Sequence, residues 1–397
     1  MKRRDFLRSV PVLAGTAGLA GSASGASRKA GAARARNVIF MVSDGMSTGT
    51  LTLADMACRM RTGFNSRWTS LWEVPGVVRG SARTHAADSL VTDSSAAAST
   101  WGCGKKVNNG AVNTTPDGEA HEPLLVTARR AGFATGLVTT TRVTHATPAG
   151  FIATVPSRDM EREIAKQILD RRVDVVLGGG ERYFDPALVA SHGDVSVVRN
   201  ATELGEASAE VGTGLAGAGR LLGLFGRDHV PWALDRSAAV PSLAEMTRAA
   251  LSRLSRSERG FVVQIEGGRV DHAAHDNDAG SLIAEQLDFD RAIGVAVEFI
   301  ASDPSTLLVI TSDHGNGNPG LTLYQQRGDS GFASLLEAQH SFAWIADQFG
   351  RSPEGERRES LARIVREGVG VSLDADEIEM VIRGANKERV DPFEPAN

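Results

Sequence analysis

The sequence predicts an α/β fold, with a mostly parallel central sheet sandwiched by helices in a three-layer arrangement. Short runs of apolar and β-branched residues, which are typical of buried strands, alternate with longer segments of helical periodicity. This alternation favours a parallel sheet that is covered by helices on both faces. Polar residues follow several of the runs, and ligands of parallel sheets bind beyond the carboxyl ends of the strands. We therefore expect a functional site at that edge.

Five apolar runs are predicted to be strands, and three segments between them are predicted to be helices. The strands are Asn37–Val42, Ala134–Thr139, Val173–Leu177, Phe261–Ile265 and Thr306–Ile310. The helices are Pro123–Arg130, Arg158–Arg171 and Leu282–Ile300. Residues 203–226, which are rich in Gly, Ala and Leu, are predicted to be a surface excursion. The charged segment from Ser352 is predicted to be helical until about Lys387 and extended after it.

The chain is long and apolar enough for a large buried core, with 397 residues and 42% hydrophobic content. Its net charge is −5, and 5% of its residues are aromatic. A negative net charge does not attract nucleic acid or anionic lipid, and few aromatic side chains are available for base stacking. We therefore expect no nucleic-acid partner. After the first 30 residues, no apolar stretch is long enough for a stable membrane anchor.

Residues 1–30 are predicted to be an export signal of the twin-arginine type. The adjacent Arg3 and Arg4 precede a weakly apolar run from Val10 to about Ala23, and small residues follow it. A disordered basic tail is the alternative interpretation. Twin-arginine export carries folded proteins, often with their cofactors, so this pattern predicts a periplasmic or secreted protein. Residues 31–397 are interpreted as the folded domain.

Cys58 and Cys103 are the only cysteines of the sequence. Two cysteines can form neither a four-cysteine zinc site nor a disulfide scaffold. Two separate buried thiols are the default interpretation. A single disulfide bond between the two residues is the alternative.

The segment Val91–Thr100 places Ser94 at the start of a helix of small residues. Asp93 or Ser94 is predicted to cap this helix. Free backbone N–H groups and the helix dipole attract an anion there, and the small neighbours leave room for a phosphate beside the hydroxyl. An ordinary capping serine is the alternative. Ser94 does not stand in a Gly-x-Ser-x-Gly elbow, so this segment does not favour a hydrolase triad.

A serine hydroxyl is a weak nucleophile without a base or a metal ion, and metal ligands stand at the predicted strand ends. Asp271 and His275 are separated by one helical turn, so on a helix they share a face and could hold one zinc ion. Carboxylates and an imidazole near other strand ends complete the set. They are Asp44, Glu266, Asp313 and His314. Each residue alone is typical of capping or surface positions, but their joint occurrence indicates a metal-activated serine for phosphoryl transfer.

With these motifs, the segment from about residue 36 to 320 resembles the alkaline phosphatase family, the two-zinc, one-magnesium phosphomonoesterases. The serine motif matches that family except that Ser99 stands where threonine is usual. The resemblance implies an alkaline phosphatase-like three-layer fold, a phosphoserine intermediate on Ser94, phosphate monoesters as substrates and a homodimer. Arg158 lies at the family's spacing beyond Thr147 and is expected to grip phosphate.

The resemblance also implies a role for each metal ligand. Asp44 matches the carboxylate that bridges the magnesium ion and one zinc ion, and Asp313 and His314 match the other ligands of that zinc. Asp271 and His275 match two of the three ligands of the second zinc. The residues that match the magnesium site are Glu266, Thr147 and the adjacent His145.

The sequence departs from the family at the third ligand of the second zinc. Family members supply a histidine there from a His-Thr-Gly-like segment, and no such segment follows Gly315. His340 is the alternative ligand, and the sequence is interpreted as a catalytic domain that lacks its C-terminal end. Two other interpretations remain open. One is a diesterase or sulfatase-type relative that uses the same metals, and the other is a truncated, inactive metal-binding remnant.

Overall fold

The structure is a computed structural model that describes residues 35–209, 219–322 and 324–385. In these residues a seven-stranded, entirely parallel sheet is flanked by helices on both faces, which confirms the predicted fold class. The predicted export signal and the predicted extended end of the chain lie outside the described residues. No helix in the described ranges is both long and apolar enough to cross a membrane.

All five predicted strands are present with slightly shifted ends, and two further strands extend the sheet on one side. In chain order the strands are β1 (Asn37–Ser43), β2 (Ala134–Arg142), β3 (Val175–Gly179), β4 (Val195–Val198), β5 (Arg220–Leu224), β6 (Phe261–Gly267) and β7 (Thr306–Thr311). Their order across the sheet is β4-β5-β3-β2-β6-β1-β7. The crossovers between non-neighbouring strands run through the helices, as parallel pairing requires.

The three predicted helices are also present, and further helices surround them. The described helices are α1 (Thr48–Thr62), α2 (Arg67–Ser70), α3 (Ser94–Cys103), α4 (Leu124–Arg130), α5 (Ala146–Ile152), α6 (Glu161–Asp170), α7 (Pro186–Ala190), α8 (Ala201–Ala209), α9 (Leu243–Leu254), α10 (Arg269–His275), α11 (Ala279–Ser302), α12 (Gln325–Leu335), α13 (Phe342–Gly350), α14 (Arg357–Val369) and α15 (Ala375–Ala385). Short 3-10 turns lie at Leu71–Glu73, Glu181–Tyr183 and Glu354–Glu356.

Four neighbouring strands bring the predicted functional residues to one edge of the sheet. β6 lies between β1 and β2, and Glu266 on β6 is in register with Val42 and Thr139. β7 pairs with the other side of β1. Because all four strands are parallel, their carboxyl ends and the loops that follow them lie side by side.

Two hydrophobic cores cover the two faces of the sheet. On one face Met41 and Ile265 pack with Phe289 of α11 and with residues of α9. On the other face Leu137 packs with Phe151 of α5 and with residues of α4 and α6. Strand residues alternate between the faces, so each strand is anchored from both sides. This packing gives the loops at the carboxyl edge a rigid base.

The prediction of a surface excursion at residues 203–226 is wrong for β5, whereas α8 at the start of this segment has only Leu204 buried. β5 is fully buried, between β3 and β4 in the sheet. Its first residue, Arg220, is buried because its guanidinium donates two hydrogen bonds to Asp194, at 2.9 and 2.8 Å. A charged side chain is tolerated inside a fold when an opposite charge pairs with it. The pairing residue, Asp194, is 26 positions away in the sequence. A short run that begins with an arginine therefore did not resemble a buried strand.

The C-terminal segment is helical as predicted, but it is not one continuous helix. α14 ends at Gly370, which has a φ of 71° and donates its N–H to the carbonyl of Arg366 at 3.0 Å. Glycine is favoured in this left-handed position because it has no Cβ. A short loop follows, and α15 begins at Ala375.

Cys58 and Cys103 are both free thiols, which agrees with the default interpretation and not with a disulfide. Each side chain is only partly buried. Burial raises the pKa of both thiols above the ordinary value, so neither is activated as a nucleophile.

Candidate active site

Ser94 is the first residue of α3, and its side chain is buried at the carboxyl edge of the sheet. The cap of this helix is Asp93, whose carboxylate accepts a hydrogen bond from the N–H of Ala96 at 2.9 Å. The capping position therefore belongs to Asp93, and the Ser94 hydroxyl is free for other partners. Its Oγ lies 3.4 Å from Oδ1 of Asp44 and 3.3 Å from Nε2 of His314.

Asp44, Asp313 and His314 form a compact group next to this hydroxyl. Nε2 of His314 lies 3.5 Å from Oδ1 of Asp44 and 3.5 Å from Oδ2 of Asp313. Oδ1 of Asp313 accepts a hydrogen bond from the N–H of Gly45 at 3.0 Å, whereas Oδ2 is buried without a hydrogen-bond partner. One ligand atom from each of the three residues lies within 4.8 Å of the others, so the group could hold a cation.

A second group shares Asp44 and adds Glu266 and His145, with ligand atoms again within 4.8 Å of one another. Glu266 Oε1 and His145 Nδ1 are both buried without a hydrogen-bond partner. The hydroxyl of Thr147 lies close by and donates to Oδ2 of Asp44 at 3.3 Å. Buried polar atoms in native proteins almost always have partners. The unpartnered oxygen of Glu266 therefore fits a bound cation.

The pKa shifts of the residues in the two groups also fit a bound cation. Burial raises the pKa of Asp44 well above its ordinary value, and the nearby charge of Asp313 raises it further. Burial also raises the pKa of Glu266 to about 7. Burial, together with the charge of Arg158, lowers the pKa of His145 well below its ordinary value, so its ring stays neutral. Carboxylates that repel one another beside a neutral imidazole are stabilised when a divalent cation lies among them.

Arg158 reaches the cleft from a turn before α6, which begins later than the sequence predicted, at Glu161. Its guanidinium donates to Oδ2 of Asp93 at 3.1 Å and lies 3.2 Å from Nε2 of His145. Burial alone would raise the pKa of Asp93, but the hydrogen bond from Ala96 and the charge of Arg158 hold it below the ordinary value. The guanidinium is thus oriented by a carboxylate one residue before the candidate nucleophile.

Asp271 and His275 lie on one face of α10, as their spacing predicts. Nε2 of His275 is 3.3 Å from Oδ2 of Asp271. The other oxygen, Oδ1, accepts a hydrogen bond from the side-chain amide of Asn316 at 2.9 Å. Gly45 has a φ of 65°, and a Cβ there would lie 2.2 Å from Oδ1 of Asp271, so this close approach requires glycine.

A cleft of about 470 Å³ connects these residues. Of the residues predicted from the sequence, six line the cleft: Ser94, His145, Arg158, Asp271, His275 and His314. The other four are fully buried next to it: Asp44, Thr147, Glu266 and Asp313. The structure therefore brings all ten together. His340, the alternative ligand, lies elsewhere, where its Nδ1 is 3.0 Å from Oδ1 of Asp235.

Several residues of the site were not predicted from the sequence. Thr139 and Thr141 both donate to Oε2 of Glu266, the latter at 3.2 Å. They belong to a run of three threonines at the end of β2, which is a signal that could have been noticed. Asn316, the partner of Asp271, carries no comparable signal, because an asparagine in a loop most often serves a turn.

Comparison with known proteins supports the same assignment. The sequence profile of the family described as "Alkaline phosphatase" matches residues 35–367. Alkaline phosphatase 4 of Bacillus subtilis is 33% identical over 301 residues, which are 73% of this chain and 64% of that relative. The chain therefore spans less than two thirds of the length of that relative.

Solved structures of the family have the same fold. The crystal structure of Thermus thermophilus alkaline phosphatase superposes with a TM-score of 0.81 at 37% identity, covering 89% of this chain and 75% of that one. A mutant alkaline phosphatase from the Antarctic bacterium TAB5, described with Mg bound in its M3 site, has a TM-score of 0.60 at 27% identity. That match covers 73% of this chain and 81% of the other. From the matched profile, the relatives and the shared fold, the chain belongs to the alkaline phosphatase family.

Proposed function

We propose that this chain hydrolyses phosphate monoesters, with Ser94 as the nucleophile. The observation that carries the proposal is the position of the Ser94 hydroxyl at the N-terminus of α3, within 3.4 Å of Asp44 and 3.3 Å of His314. Arg158, whose guanidinium donates to the neighbouring Asp93, presents a planar cation to the same cleft. A monoester has three nonbridging oxygens that carry charge, which suits an arginine and a helix N-terminus together.

The residues of the chain supply the following steps. Arg158 binds two nonbridging oxygens of the phosphoryl group and aligns phosphorus with the Ser94 Oγ. The oxygen of Ser94 attacks phosphorus, the bond to the ester oxygen breaks, and the hydroxyl proton ends on the departing alcohol. Water then attacks the phosphoserine, which releases inorganic phosphate and restores the hydroxyl. The buried carboxylates remain fixed during both steps because the sheet anchors them.

We propose cation sites at the two groups that share Asp44. Asp44, Asp313 and His314 would hold zinc, and Asp44, Glu266 and Thr147, with His145 beside them, would hold magnesium. The unpartnered Glu266 Oε1 and Asp313 Oδ2 support both assignments. Bound divalent cations lower the pKa of a nearby hydroxyl and neutralise charge on the transferring phosphoryl group. Asp271 and His275, the proposed ligands of a second zinc, form an incomplete set, and no step is derived from them.

We also propose that the protein is exported by the twin-arginine route to the periplasm or beyond and that it acts as a homodimer. The support is the arginine pair before the apolar run and the family resemblance. Fractionation of cells that express the full chain tests the first proposal. Replacement of both Arg3 and Arg4 by lysine should retain the protein in the cytoplasm. Light scattering of the purified protein tests the second.

Turnover of p-nitrophenyl phosphate by metal-stripped protein, with and without added zinc and magnesium, tests the activity. We expect turnover only with metal and none in the Ser94→Ala variant. Ser252→Ala, a change at an exposed serine of α9, is the matched control and should retain full activity. Acid quenching during turnover should trap a phosphoryl group on the peptide that contains Ser94.

Three outcomes would contradict the proposal. Turnover that survives Ser94→Ala would exclude this nucleophile. A faster rate with bis(p-nitrophenyl) phosphate than with the monoester would favour a diesterase. Cation binding without any turnover would favour an inactive metal-binding protein.

A further inference from the structure

We infer that Leu90 and Val91 form an aliphatic lip at the mouth of the cleft, and that this lip binds the organic group of the substrate. The protein therefore prefers phosphate monoesters of aromatic and other apolar alcohols to those of small, hydroxylated alcohols. The inference rests on the proposed function, because it concerns the part of the ester that departs as the alcohol.

Val91 lies in the same cleft as the candidate nucleophile. It lines the cleft together with Ser94 and Arg158, and among the described residues that line it, Val91 is the only one with a purely aliphatic side chain. It precedes Ser94 by three positions, and three residues of extended chain span at most about 10–11 Å. The organic group of an ester whose phosphorus lies at the Ser94 hydroxyl can therefore reach Val91.

The two side chains of the lip are open to solvent. Val91 is 75% exposed, and Leu90, which precedes it, is 93% exposed. A single exposed aliphatic side chain is ordinary on a protein surface. Two adjacent ones at the entrance of a ligand cleft provide apolar area that a bound ester can remove from water, and the gain is proportional to the area covered.

The backbone of the lip is held in place by Asn109. The side-chain amide of Asn109 donates to the carbonyl of Val91 at 2.9 Å, and its Oδ1 accepts from the N–H of Asp93 at 2.8 Å. The backbone N–H of Asn109 donates to Oδ1 of Asp88 at 3.0 Å, and the N–H of Val91 donates to Oγ of Ser89 at 3.1 Å.

These contacts connect the lip to the nucleophile, since Asp93 caps the helix that begins with Ser94. The lip thus keeps a fixed position relative to the hydroxyl. A surface that is already ordered loses little conformational freedom when a ligand covers it. An apolar ester group gains from the lip, whereas a hydroxylated alcohol forms no hydrogen bond with it and gives up water there.

The ratio of kcat/KM for 1-naphthyl phosphate to kcat/KM for glycerol 2-phosphate measures the preference. Comparison of the same two esters across variants cancels the difference in their intrinsic reactivity. Val91→Thr, which keeps the shape of the side chain and adds a hydroxyl, should lower the ratio about 3-fold, and Leu90→Ser together with Val91→Thr should lower it about 10-fold. Val91→Leu should raise it.

Two controls separate the lip from a general disturbance of the site. Val78→Thr makes the same change at a valine that is 92% exposed but does not line the cleft, and it should leave the ratio unchanged. The inhibition constant of inorganic phosphate should be the same in all variants, because phosphate has no organic group to place on the lip.

An unchanged ratio in the double variant would overturn the inference, as would an equal fall in Val78→Thr or a parallel loss of phosphate binding. If the lip packs against a second copy of the chain instead, the ratio should stay constant while light scattering shows a smaller molar mass for the double variant. That result would also overturn it.

The proposed function is tested separately. Turnover with an unchanged ratio would leave the phosphatase proposal standing without the lip. If the protein shows no turnover, calorimetric titration with benzylphosphonate and methylphosphonate still tests the lip. Tighter binding of the benzyl compound that Val91→Thr weakens would support it, and equal affinities for the two compounds would overturn it.

Discussion

The hydroxyl of Thr139 donates a hydrogen bond to Oε2 of Glu266, at the centre of the sheet where β2 and β6 are paired. Thr141 donates to the same oxygen at 3.2 Å, whereas Oε1 is buried without a partner. One oxygen of the carboxylate is thus fixed by the protein and the other is left for a cation. Hydrogen bonds of this kind orient metal ligands and are part of a metal site.

We predict that Thr139→Val weakens cation binding by about 10–100-fold, because Glu266 loses the partner that orients it. Thr139→Ser keeps the hydroxyl and should retain most of the affinity. Isothermal titration of metal-stripped protein with Mg²⁺ measures the change. Thr247→Val is the matched control, since its buried hydroxyl has no hydrogen-bond partner. Equal affinities in Thr139→Val and the unaltered protein would show that the hydrogen bond does not orient the ligand.

We predict that cation binding releases protons between about pH 4.5 and 7. Burial raises the pKa of Glu266 to about 7 from an ordinary value of 4.5. The folded metal-free protein thus holds this proton more tightly than the unfolded chain does. The contribution of Glu266 to the free energy of unfolding therefore falls as the pH rises through that window. A cation replaces the proton and stabilises the charged carboxylate, so cation affinity should increase with pH up to about 7.

Calorimetry near pH 6 in two buffers of different ionisation enthalpy measures the released protons directly. The apparent binding enthalpy should differ between the buffers, and the difference should shrink in Glu266→Gln. Thermal unfolding of the metal-free protein over the same range checks the sign of the stability change. If the stability of the metal-free Glu266→Gln variant changed with pH in the same way as that of the unaltered protein, the prediction would be contradicted.

We predict that Arg158→Ala weakens the binding of inorganic phosphate by about 10–100-fold. The estimate follows from the 1.5–3 kcal/mol that hydrogen bonds to charged groups contribute. Arg158→Lys should recover only part of the loss, because an ammonium group cannot bind two oxygens in a planar fork. The inhibition constant of phosphate measures the effect. Arg162→Ala, an exposed arginine that does not line the cleft, should match the unaltered protein.

We predict that Asp288→Asn destabilises the fold by about 3 kcal/mol, because the buried guanidinium of Arg236 loses the carboxylate that pairs with it. The two side chains are 1% and 7% exposed, and Nη2 of Arg236 lies 2.7 Å from Oδ2 of Asp288. Urea denaturation measures the change in the free energy of unfolding. Glu298→Gln breaks an ion pair with Arg248 whose side chains are both more than half exposed, and it should leave the midpoint nearly unchanged.

The local pattern of the sequence was enough for the strands that supply most of the site. Asn37–Val42, Phe261–Ile265 and Thr306–Ile310 are mostly apolar runs, and each is followed closely by a carboxylate. The type of these elements depends on neighbouring residues in the chain, so one sequence predicts it. The same holds for Asp271 and His275, whose helical spacing places them on one face.

Contacts between distant segments could not be predicted in this way. β5 is buried between β3 and β4, where Arg220 pairs with Asp194, and Thr139 meets Glu266 only because β2 lies beside β6. Both depend on strand order, which the sequence of a single strand does not encode. The contact of His340 with Asp235 likewise joins two segments that are distant in the sequence.

By itself, the sequence determined the α/β class, the candidate nucleophile and the residue types that could bind cations, because these follow from local periodicity and side-chain chemistry. The tertiary structure decided which oxygens remain unpartnered, how Arg158 is oriented and which side chains lie close enough together to share a cation. Those properties arise from burial and from the distances between strand ends, and they exist only once the sheet has formed.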